Sequence, residues 1–258
     1  MLLATDVGNT NTVFGVYEGE AMLVSWRAQT ERGRTGDEWA ALLYACLLAR
    51  AIRTEQLDGC IMSSVVPPVT EALRAAVSGL LGRQAMMVEP SMKLNVRIAA
   101  ENPYAVGADR IVNAASAFRR YGGPCIVVDF GTATKFEAVS AEGVYLGGAI
   151  APGLRTAADA LVGRAAQLFP VDLVAPPRVI AVNTIESMQA GIVLGYVGLV
   201  EGLLRRMQAE LQAVSPGAAR VIATGGLAPL IAPLTPLFTD ADPNLTLEGL
   251  RLIYGLNT

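Results

Sequence analysis

The chain has 258 residues, a formal net charge of −3, 52% apolar residues and 17% charged residues. This balance can bury the core of one large domain or two of ordinary size, and it excludes a disordered chain. A basic stripe is not visible, so nucleic acid is not an expected partner. The chain contains no histidine, which excludes histidine triads, histidine general bases and histidine metal ligands.

The cysteines and the apolar segments indicate in which cellular compartment the protein is expected. Cys46, Cys60 and Cys125 lie far apart among apolar neighbours, which favours buried free thiols in a reducing compartment over disulfides or a metal site. The N-terminus lacks the basic start and the long apolar stretch of a signal peptide. The apolar stretch 190–204 is too short for a membrane span and contains Glu201, so we expect a cytoplasmic protein without a membrane partner.

The periodicity of apolar residues and the positions of turn residues predict an alternation of strands and helices. In chain order these are strands over 2–4, 13–17 and 21–26, a helix over 37–53, a strand over 60–65, helices over 70–81 and 108–121, strands over 126–128, 136–139 and 144–150, a helix over 188–207 and a strand over 221–223.

One pattern occurs twice: a strand, an Asp-x-Gly loop, a strand, a Glu-Gly turn and a third strand. The loop aspartate precedes the turn glutamate by 12 positions in the first half (6 to 18) and by 13 in the second (129 to 142). We interpret this as an internal duplication of one α/β domain, although two unrelated strand–turn segments would share part of the pattern. The predicted domains are residues 1–122 and 123–258, divided at a Gly-Gly-Pro sequence.

Both loops have the composition of phosphate-binding turns. A turn of Gly, Asn and Thr after a buried strand exposes backbone N–H groups and small hydroxyls that bind phosphate oxygens. Asp6 would repel phosphate, so its expected role is to hold hydrated Mg²⁺; a hairpin with a polar turn is the alternative. The two loops are expected to face each other across a cleft. A third segment, 224–226, ends a late strand with two glycines and would let adenosine lie against the backbone.

In this order, the loops resemble those of the acetate and sugar kinase, heat-shock and actin superfamily. More narrowly, type III pantothenate kinases have segments similar to DVGNTNTVFGVY, NPYAVGADR, DFGTATKFEAV, GGAIAPGL, NTIESMQAG and TGG, which run from residue 6 to residue 226. The resemblance implies an α/β fold of two duplicated actin-like (ribonuclease H-like) domains with mixed sheets flanked by helices and a cleft between them. It also implies phosphorylation of pantothenate to 4'-phosphopantothenate, the first step of coenzyme A biosynthesis, with ATP, Mg²⁺ and a monovalent cation (K⁺ or NH₄⁺).

The resemblance implies a role for each matching residue. Asp109 would be the general base for the substrate hydroxyl, whereas the bare sequence is equally typical of an aspartate in a helix N-terminal turn. Asp129 would be the ligand of the monovalent cation. The pantothenate contacts would be Tyr104, Gly107, Ala108, Arg110 and, at a dimer interface, Thr184. The ATP contacts would be Asp6, Gly8, Asn9, Thr10, Asn11, Thr12, Thr132, Gly225 and Gly226.

The sequence departs from the family pattern beside the implied cation ligand. After DFGTAT the family usually has another small hydroxyl residue and often an aspartate two places later, where this chain has Lys135 and Glu137. In a strand, Lys135 points to the face opposite Thr134, and the simplest interpretation is a solvated or subunit-facing lysine. The alternative is that its ammonium reaches the phosphates and reduces the need for potassium.

Two other functions stay open at this stage. One is a kinase for another small hydroxy acid or sugar, and the other is a nucleotide-switched actin-like regulator without a small-molecule acceptor. Arg110 beside Asp109 favours an acceptor that carries a carboxylate, because arginine binds carboxylates through paired hydrogen bonds. The apolar, glycine-spaced stretch 188–207 favours a homodimer, with a fully buried central helix as the alternative.

Overall fold

The computed structural model describes residues 1–258, and the chain forms two units. The first contains Met1–Asn95, Glu101–Ser116 and Leu245–Thr258, and the second contains Val96–Ala100 and Ala117–Asn244. Each unit has one mixed sheet flanked by helices, as the predicted α/β class requires. The division departs from the expected 1–122 and 123–258 domains, because the C-terminal segment packs in the first unit.

The strands and helices are as follows in chain order. The strands are β1 (Leu2–Val7), β2 (Asn11–Glu18), β3 (Ala21–Gln29), β4 (Gly59–Ser64), β5 (Met86–Met87), β6 (Arg97–Ile98), β7 (Cys125–Phe130), β8 (Ala133–Val139), β9 (Val144–Pro152), β10 (Arg220–Thr224) and β11 (Asp240–Ala241). The helices are α1 (Gly36–Leu48), α2 (Pro67–Leu81), α3 (Ala108–Tyr121), α4 (Leu154–Arg164), α5 (Thr184–Gln189), α6 (Gly195–Val214), α7 (Ala228–Ile231) and α8 (Leu245–Asn257).

The predicted elements form with adjusted ends. Helix α3 has the predicted bounds, whereas α1 ends at Leu48, before the predicted residue 53. Helix α2 begins at Pro67, three residues earlier than predicted, because proline suits the first turn of a helix, where its missing N–H costs nothing.

Both sheets have the same strand order, which confirms the predicted duplication. The first sheet has the order β3-β2-β1-β4-β5, and the second has β9-β8-β7-β10-β11 with β6 added beside β9. In both, the first strand pairs antiparallel with the second and parallel with the fourth. The pairing of the second and third strands shifts register at the equivalent step, Val16/Tyr17 in one sheet and Ala138/Val139 in the other.

The core of the first unit lies between one face of its sheet and helices α1 and α2. The Phe14 ring stacks on Trp26 at a centroid distance of 5.2 Å, and Trp39 of α1 is fully buried beside them. Helix α8 covers the opposite face. Glycine allows close approach at two of its contacts. Gly249 of α8 sits against the Val112 carbonyl of α3, and the Tyr254 ring of α8 sits against Gly59 of β4.

The long helix of the second unit is continuous from α5 through a π-helical turn, Ala190–Leu194, into α6. It is therefore longer than the predicted 188–207. By length and composition the segment Thr184–Val214 could cross a membrane, but 44% of its most apolar window is buried inside the protein. Val193, Val200 and Leu204 pack in the core beneath the sheet, which is the behaviour of a core helix in a globular protein.

The cysteines are free, as expected. Cys60 and Cys125 lie in the central strands β4 and β7, and burial raises the pKa of each thiol to about 12. Both therefore stay protonated and unreactive at neutral pH. Cys46 on α1 is only partly buried.

Candidate active site

Two aspartates occupy equivalent places in the two sheets. Asp6 and Asp129 are each the fifth residue of a six-residue central strand, and these strands share one pattern of burial along their length. Each aspartate stands near the carboxyl end of its strand, where the loops of α/β proteins bind ligands. The duplication thus supplies two copies of one carboxylate position.

The first loop follows Asp6 and presents small polar side chains. Gly8 N–H donates to the Asn11 carbonyl at 3.1 Å and closes the turn, while Thr30 N–H donates to the Thr10 carbonyl at 2.9 Å. The side chains of Asn9, Thr10 and Asn11 are exposed, and Thr12 is buried on the Thr30 hydroxyl. The predicted ATP contacts from Gly8 to Asn11 therefore lie on one tight, anchored turn. The buried Thr12 side chain does not face solvent and instead pairs with the Thr30 hydroxyl.

Ser63 of the neighbouring strand orients the Asp6 carboxylate. The register of β1 and β4 places Ser63 beside Asp6, and the serine hydroxyl donates to Asp6 Oδ1 at 2.6 Å. Ser63 is fully buried. This residue was missed in the sequence, although the parallel pairing of two predicted strands would have suggested it.

The segment with Asp109 lies next to the same end of the first sheet. Val65 follows β4, and its N–H donates to the Val7 carbonyl at 3.1 Å. Gly107 packs toward Val65 and toward Asp109, since a Cβ at residue 107 would stand 2.8 Å from Asp109 Oδ1. Asp109 itself is 9% exposed in the first turn of α3. The structure therefore brings Asp109 and the Asp6 loop to one end of one sheet.

The other predicted pantothenate residues of the first unit surround Asp109 in the chain. Ala108 is the first residue of α3, and Arg110 N–H donates to Asp109 Oδ1 at 2.9 Å, which fixes that carboxylate against the helix end. Tyr104 lies on a 3-10 turn capped by Asn102 and is 70% exposed. The exposed Tyr104 ring is available to pack on an organic ligand.

The second loop is one residue shorter and is anchored by its own unit. Gly131 N–H donates to the Ala133 carbonyl at 3.2 Å. The Thr132 carbonyl accepts from Gly153 N–H at 3.1 Å and from the Thr156 hydroxyl at 2.7 Å, and the Thr132 side chain is exposed. The predicted phosphate contact thus sits at the tip of a braced turn.

The Gly-Gly segment lies directly beside the second loop. Strand β10 runs parallel to β7 and places Thr224 next to Asp129. Gly225 has a φ of +90°, and a Cβ there would stand 2.5 Å from Asp129 Oδ1 and 2.7 Å from Phe130 N. Only glycine fits this position. Gly226 is exposed, so the predicted adenosine segment and second phosphate loop form one surface.

Lys135 is bound to Asp129. The strands β7 and β8 pair these residues directly, and Lys135 Nζ lies 2.7 Å from Asp129 Oδ2, with side chains 17% and 14% exposed. The expectation of a solvated lysine is therefore wrong, because the register turns the side chain toward the aspartate. Glu137, two residues on, is fully buried and accepts a hydrogen bond from the Tyr145 hydroxyl at 2.6 Å.

Thr184 lies elsewhere on the second unit, beside an apolar cavity. It is the first residue of α5, follows the N-cap Asn183, and is exposed. The cavity measures about 950 Å³, and its lining includes Leu161, Val182, Thr184, Met188, Ile192 and Leu199.

Comparison with known proteins decides the family. The family model of type III pantothenate kinases matches residues 2–206. Two relatives named type III pantothenate kinase, from Roseiflexus castenholzii and Moorella thermoacetica, are 51% and 49% identical to this chain over 257 and 258 residues. The alignments cover 100% of this chain and at least 99% of each relative. The chain belongs to the type III pantothenate kinase family.

Solved structures support the fold of this family member. A putative Baf family transcriptional activator from Campylobacter jejuni aligns with a TM-score of 0.60 at 19% identity and covers 98% of this chain and 97% of its own. Component A of the (R)-2-hydroxyglutaryl-CoA dehydratase from Acidaminococcus fermentans aligns with a TM-score of 0.56 at 13% identity, with coverages of 99% and 95%. At these identities the likeness concerns the fold alone.

The family implies two cations, Mg²⁺ and a monovalent cation. Mg²⁺ fits its predicted ligand, Asp6. Asp6 offers a carboxylate oriented by Ser63 beside a phosphate-type loop, and magnesium is usually held by one or two carboxylates together with substrate phosphates. No group of three or more acidic or cysteine side chains forms a metal cage of its own in this chain, so phosphate oxygens would supply the remaining ligands.

The monovalent cation does not fit its predicted ligand, Asp129. Asp129 Oδ2 is already bound to the Lys135 ammonium at 2.7 Å, and the Asp129 side chain is only 14% exposed. A monovalent cation here would meet a fixed like charge on the same carboxylate, which disfavours its binding.

The close packing of Gly225 gives a testable consequence. Gly225→Ala should lower the free energy of unfolding by about 1–3 kcal/mol, because the new methyl group meets Asp129 in a backbone conformation that alanine avoids. ATP affinity should fall as well, since the adenosine segment and second loop would shift. Gly79→Ala is the control, because it lies in α2 with open space around it and should gain about 0.5–1 kcal/mol. Urea denaturation measures both, and a Gly225→Ala protein as stable as the wild type would contradict the packing argument.

Proposed function

We propose that this protein transfers the γ-phosphoryl group of ATP to the primary alcohol of pantothenate, giving 4'-phosphopantothenate and ADP. The observation that carries the proposal is that Asp109 and the Asp6 loop lie at the same end of the first sheet, in a chain of the type III pantothenate kinase family. A base next to a phosphate-type loop is what an alcohol kinase needs, because the acceptor hydroxyl must meet the terminal phosphate.

The reaction requires one bond to form and one to break. The pantothenate oxygen forms a bond to the γ-phosphorus, the bond from that phosphorus to the bridging oxygen breaks, and ADP leaves. Asp109 orients the hydroxyl and accepts its proton late, since the transition state is loose and the alcohol is a poor acid. The carboxylate is held by Arg110 N–H, so it is positioned before the substrate arrives.

The loops contribute charge neutralisation and positioning. In the proposal, Gly8, Asn9, Thr10 and Asn11 of the first loop and Thr132 of the second contact the phosphates of ATP, while Gly225 and Gly226 accommodate adenosine. Mg²⁺, when bound at Asp6, supplies positive charge to the phosphate oxygens. Most of the catalysis then comes from fixed dipoles and geometry rather than from covalent chemistry.

Acceptor specificity is assigned to the segment around Asp109. Arg110 would bind the pantothenate carboxylate, because its planar guanidinium makes paired hydrogen bonds to such groups. Tyr104 would pack on the chain of the acceptor, since its ring is 70% exposed and the phenol offers one polar end. Turnover with pantothenate but not with other hydroxy acids or sugars would separate this function from a kinase of broader acceptor range.

Asp109→Asn tests the assigned base. The change keeps the size of the side chain and removes the proton acceptor, so kcat should fall by about 10²–10⁴-fold while ATP binding stays the same. Coupled ADP release measures turnover, and calorimetry with a non-hydrolysable ATP analogue measures binding.

Asp37→Asn is the matched control for that experiment. Asp37 lies in the first turn of α1 and Asp109 in the first turn of α3. Asp37 is exposed, so its loss reports any general effect of a helix N-terminal charge without disturbing a buried group. Near-normal turnover of Asp109→Asn, or an equal loss in both variants, would show that Asp109 is not the base.

A homodimer is the proposed assembly, with Thr184 reaching the acceptor site of the partner subunit. Apolar side chains are left in solvent at the cavity and next to it: Val182, which lines the cavity, is 78% exposed, and Ile180, two residues before it, is 85% exposed. Such a patch is costly in a monomer and is typical of an interface. A second copy is the proposed occupant because α5, at the edge of the cavity, carries Thr184. The protein is expected in the cytoplasm, with its long helix in the core.

Ile180→Asp tests the assembly. A buried charge without a partner disfavours association, and a residue at the centre of an interface typically contributes about 2 kcal/mol or more. Light scattering should show a shift from dimer to monomer, and the KM for pantothenate should rise because Thr184 leaves the site. Val214→Asp is the control, because Val214 is exposed at the far end of α6. A wild-type monomer with full activity would contradict the proposal.

A further inference from the structure

The ion pair between Lys135 and Asp129 stands where the family would place a monovalent cation. We propose that the Lys135 ammonium replaces that cation permanently, so this kinase reaches its full rate without potassium or ammonium ions. The inference rests on the proposed function and deepens it, because it concerns the charge requirement of the same site.

The carboxylate of Asp129 has close neighbours at both oxygens. Lys135 Nζ lies 2.7 Å from Oδ2, within the range of a charge-assisted hydrogen bond. On the other side, Gly225 comes so near that an added Cβ would stand 2.5 Å from Oδ1. An added cation would have to displace the ammonium or share its carboxylate, and each arrangement costs electrostatic energy in a largely buried place.

The choice of lysine is itself informative. Only two of the 20 basic residues of this chain are lysines, Lys93 and Lys135. Lys93 is exposed, so Lys135 is the only lysine in a largely buried ion pair. An ammonium is a compact point charge like a monovalent metal ion, whereas the planar guanidinium of arginine is larger and binds as a fork. A lysine is therefore the side chain that imitates a bound K⁺ or NH₄⁺.

The duplicated unit provides an internal comparison. The residue of the first sheet that pairs with Asp6 is Val13, in the place that Lys135 has in the second sheet. The strand on the other side contributes Ser63 in one sheet and Thr224 in the other, both uncharged. The two copies thus differ at this strand-pairing position, which carries lysine beside Asp129 and valine beside Asp6.

Removing this charge would leave Asp129 without its ion-pair partner. The Asp129 side chain is only 14% exposed, so the change leaves a negative charge in a largely buried place. Such a site attracts a cation from solution, so the variant should acquire the dependence that the wild type lacks.

Potassium titration of three proteins tests the inference. Phosphate transfer to pantothenate is measured in sodium-only buffer and again with added KCl or NH₄Cl at constant ionic strength. The wild type should change by less than about two-fold. Lys135→Met should lose about ten-fold or more in sodium, as expected when a charged hydrogen bond is lost, and should recover with potassium or ammonium. The control Lys93→Met should behave as the wild type.

Two results would overturn the inference. One is a wild-type rate that rises strongly with potassium. The other is a Lys135→Met protein that is fully active in sodium alone, which would make the ion pair merely structural. A wild type without pantothenate turnover in any salt would instead contradict the proposed function.

A second measurement needs neither turnover nor a folded Lys135 variant. Protein labelled with ¹³C at the lysine ε-carbon gives two signals, because the chain has two lysines, and Lys93→Met assigns them. The Lys135 signal should stay in place when sodium is exchanged for potassium or thallium ions. A saturable shift of that signal alone would show a cation entering the Asp129 site and would contradict the inference.

Discussion

Each unit holds one carboxylate near the end of a central strand, directly before its candidate phosphate loop. A charged group at such a half-buried place is costly unless a partner satisfies it. The two copies meet this constraint differently: Asp6 accepts from the Ser63 hydroxyl, and Asp129 is bound to the Lys135 ammonium. In the proposed function, the Asp6 carboxylate binds a metal–nucleotide complex, whereas the Asp129 carboxylate is neutralised by Lys135. One duplicated position would then have two electrostatic roles.

The register of the strands decides which residues lie beside each aspartate. The pairing that sets Ser63 beside Asp6 also places Val65 at the end of β4. Gly107, close to Asp109, packs toward Val65 there. In the second sheet, the equivalent parallel pairing brings Gly225 close to Asp129 and sets the segment proposed for adenosine next to the second loop. Tight loops and glycine contacts fix these groups in advance, which is how a kinase catalyses a reaction that needs little covalent chemistry.

Much of this could be predicted from the sequence, because repeated turn residues mark both loops and apolar periodicity marks helices such as α3. Other features depend on which strands become neighbours, which local pattern does not reveal. The sequence shows Lys135 one residue after Thr134, but only the pairing of β7 with β8 turns it toward Asp129. Likewise, α8 belongs to the first unit because Gly249 lets it approach Val112, a contact between residues far apart in the chain.

The central claim is that Asp6, and not Asp129, holds the metal of the nucleotide complex. The most direct measurement is anomalous scattering from crystals soaked with Mn²⁺, Tl⁺ and a non-hydrolysable ATP analogue. The account predicts a manganese peak beside the Asp6 carboxylate and no thallium peak at Asp129, where the Lys135 ammonium should stay in place. A thallium ion bound to Asp129, or manganese bound there and absent from Asp6, would contradict it.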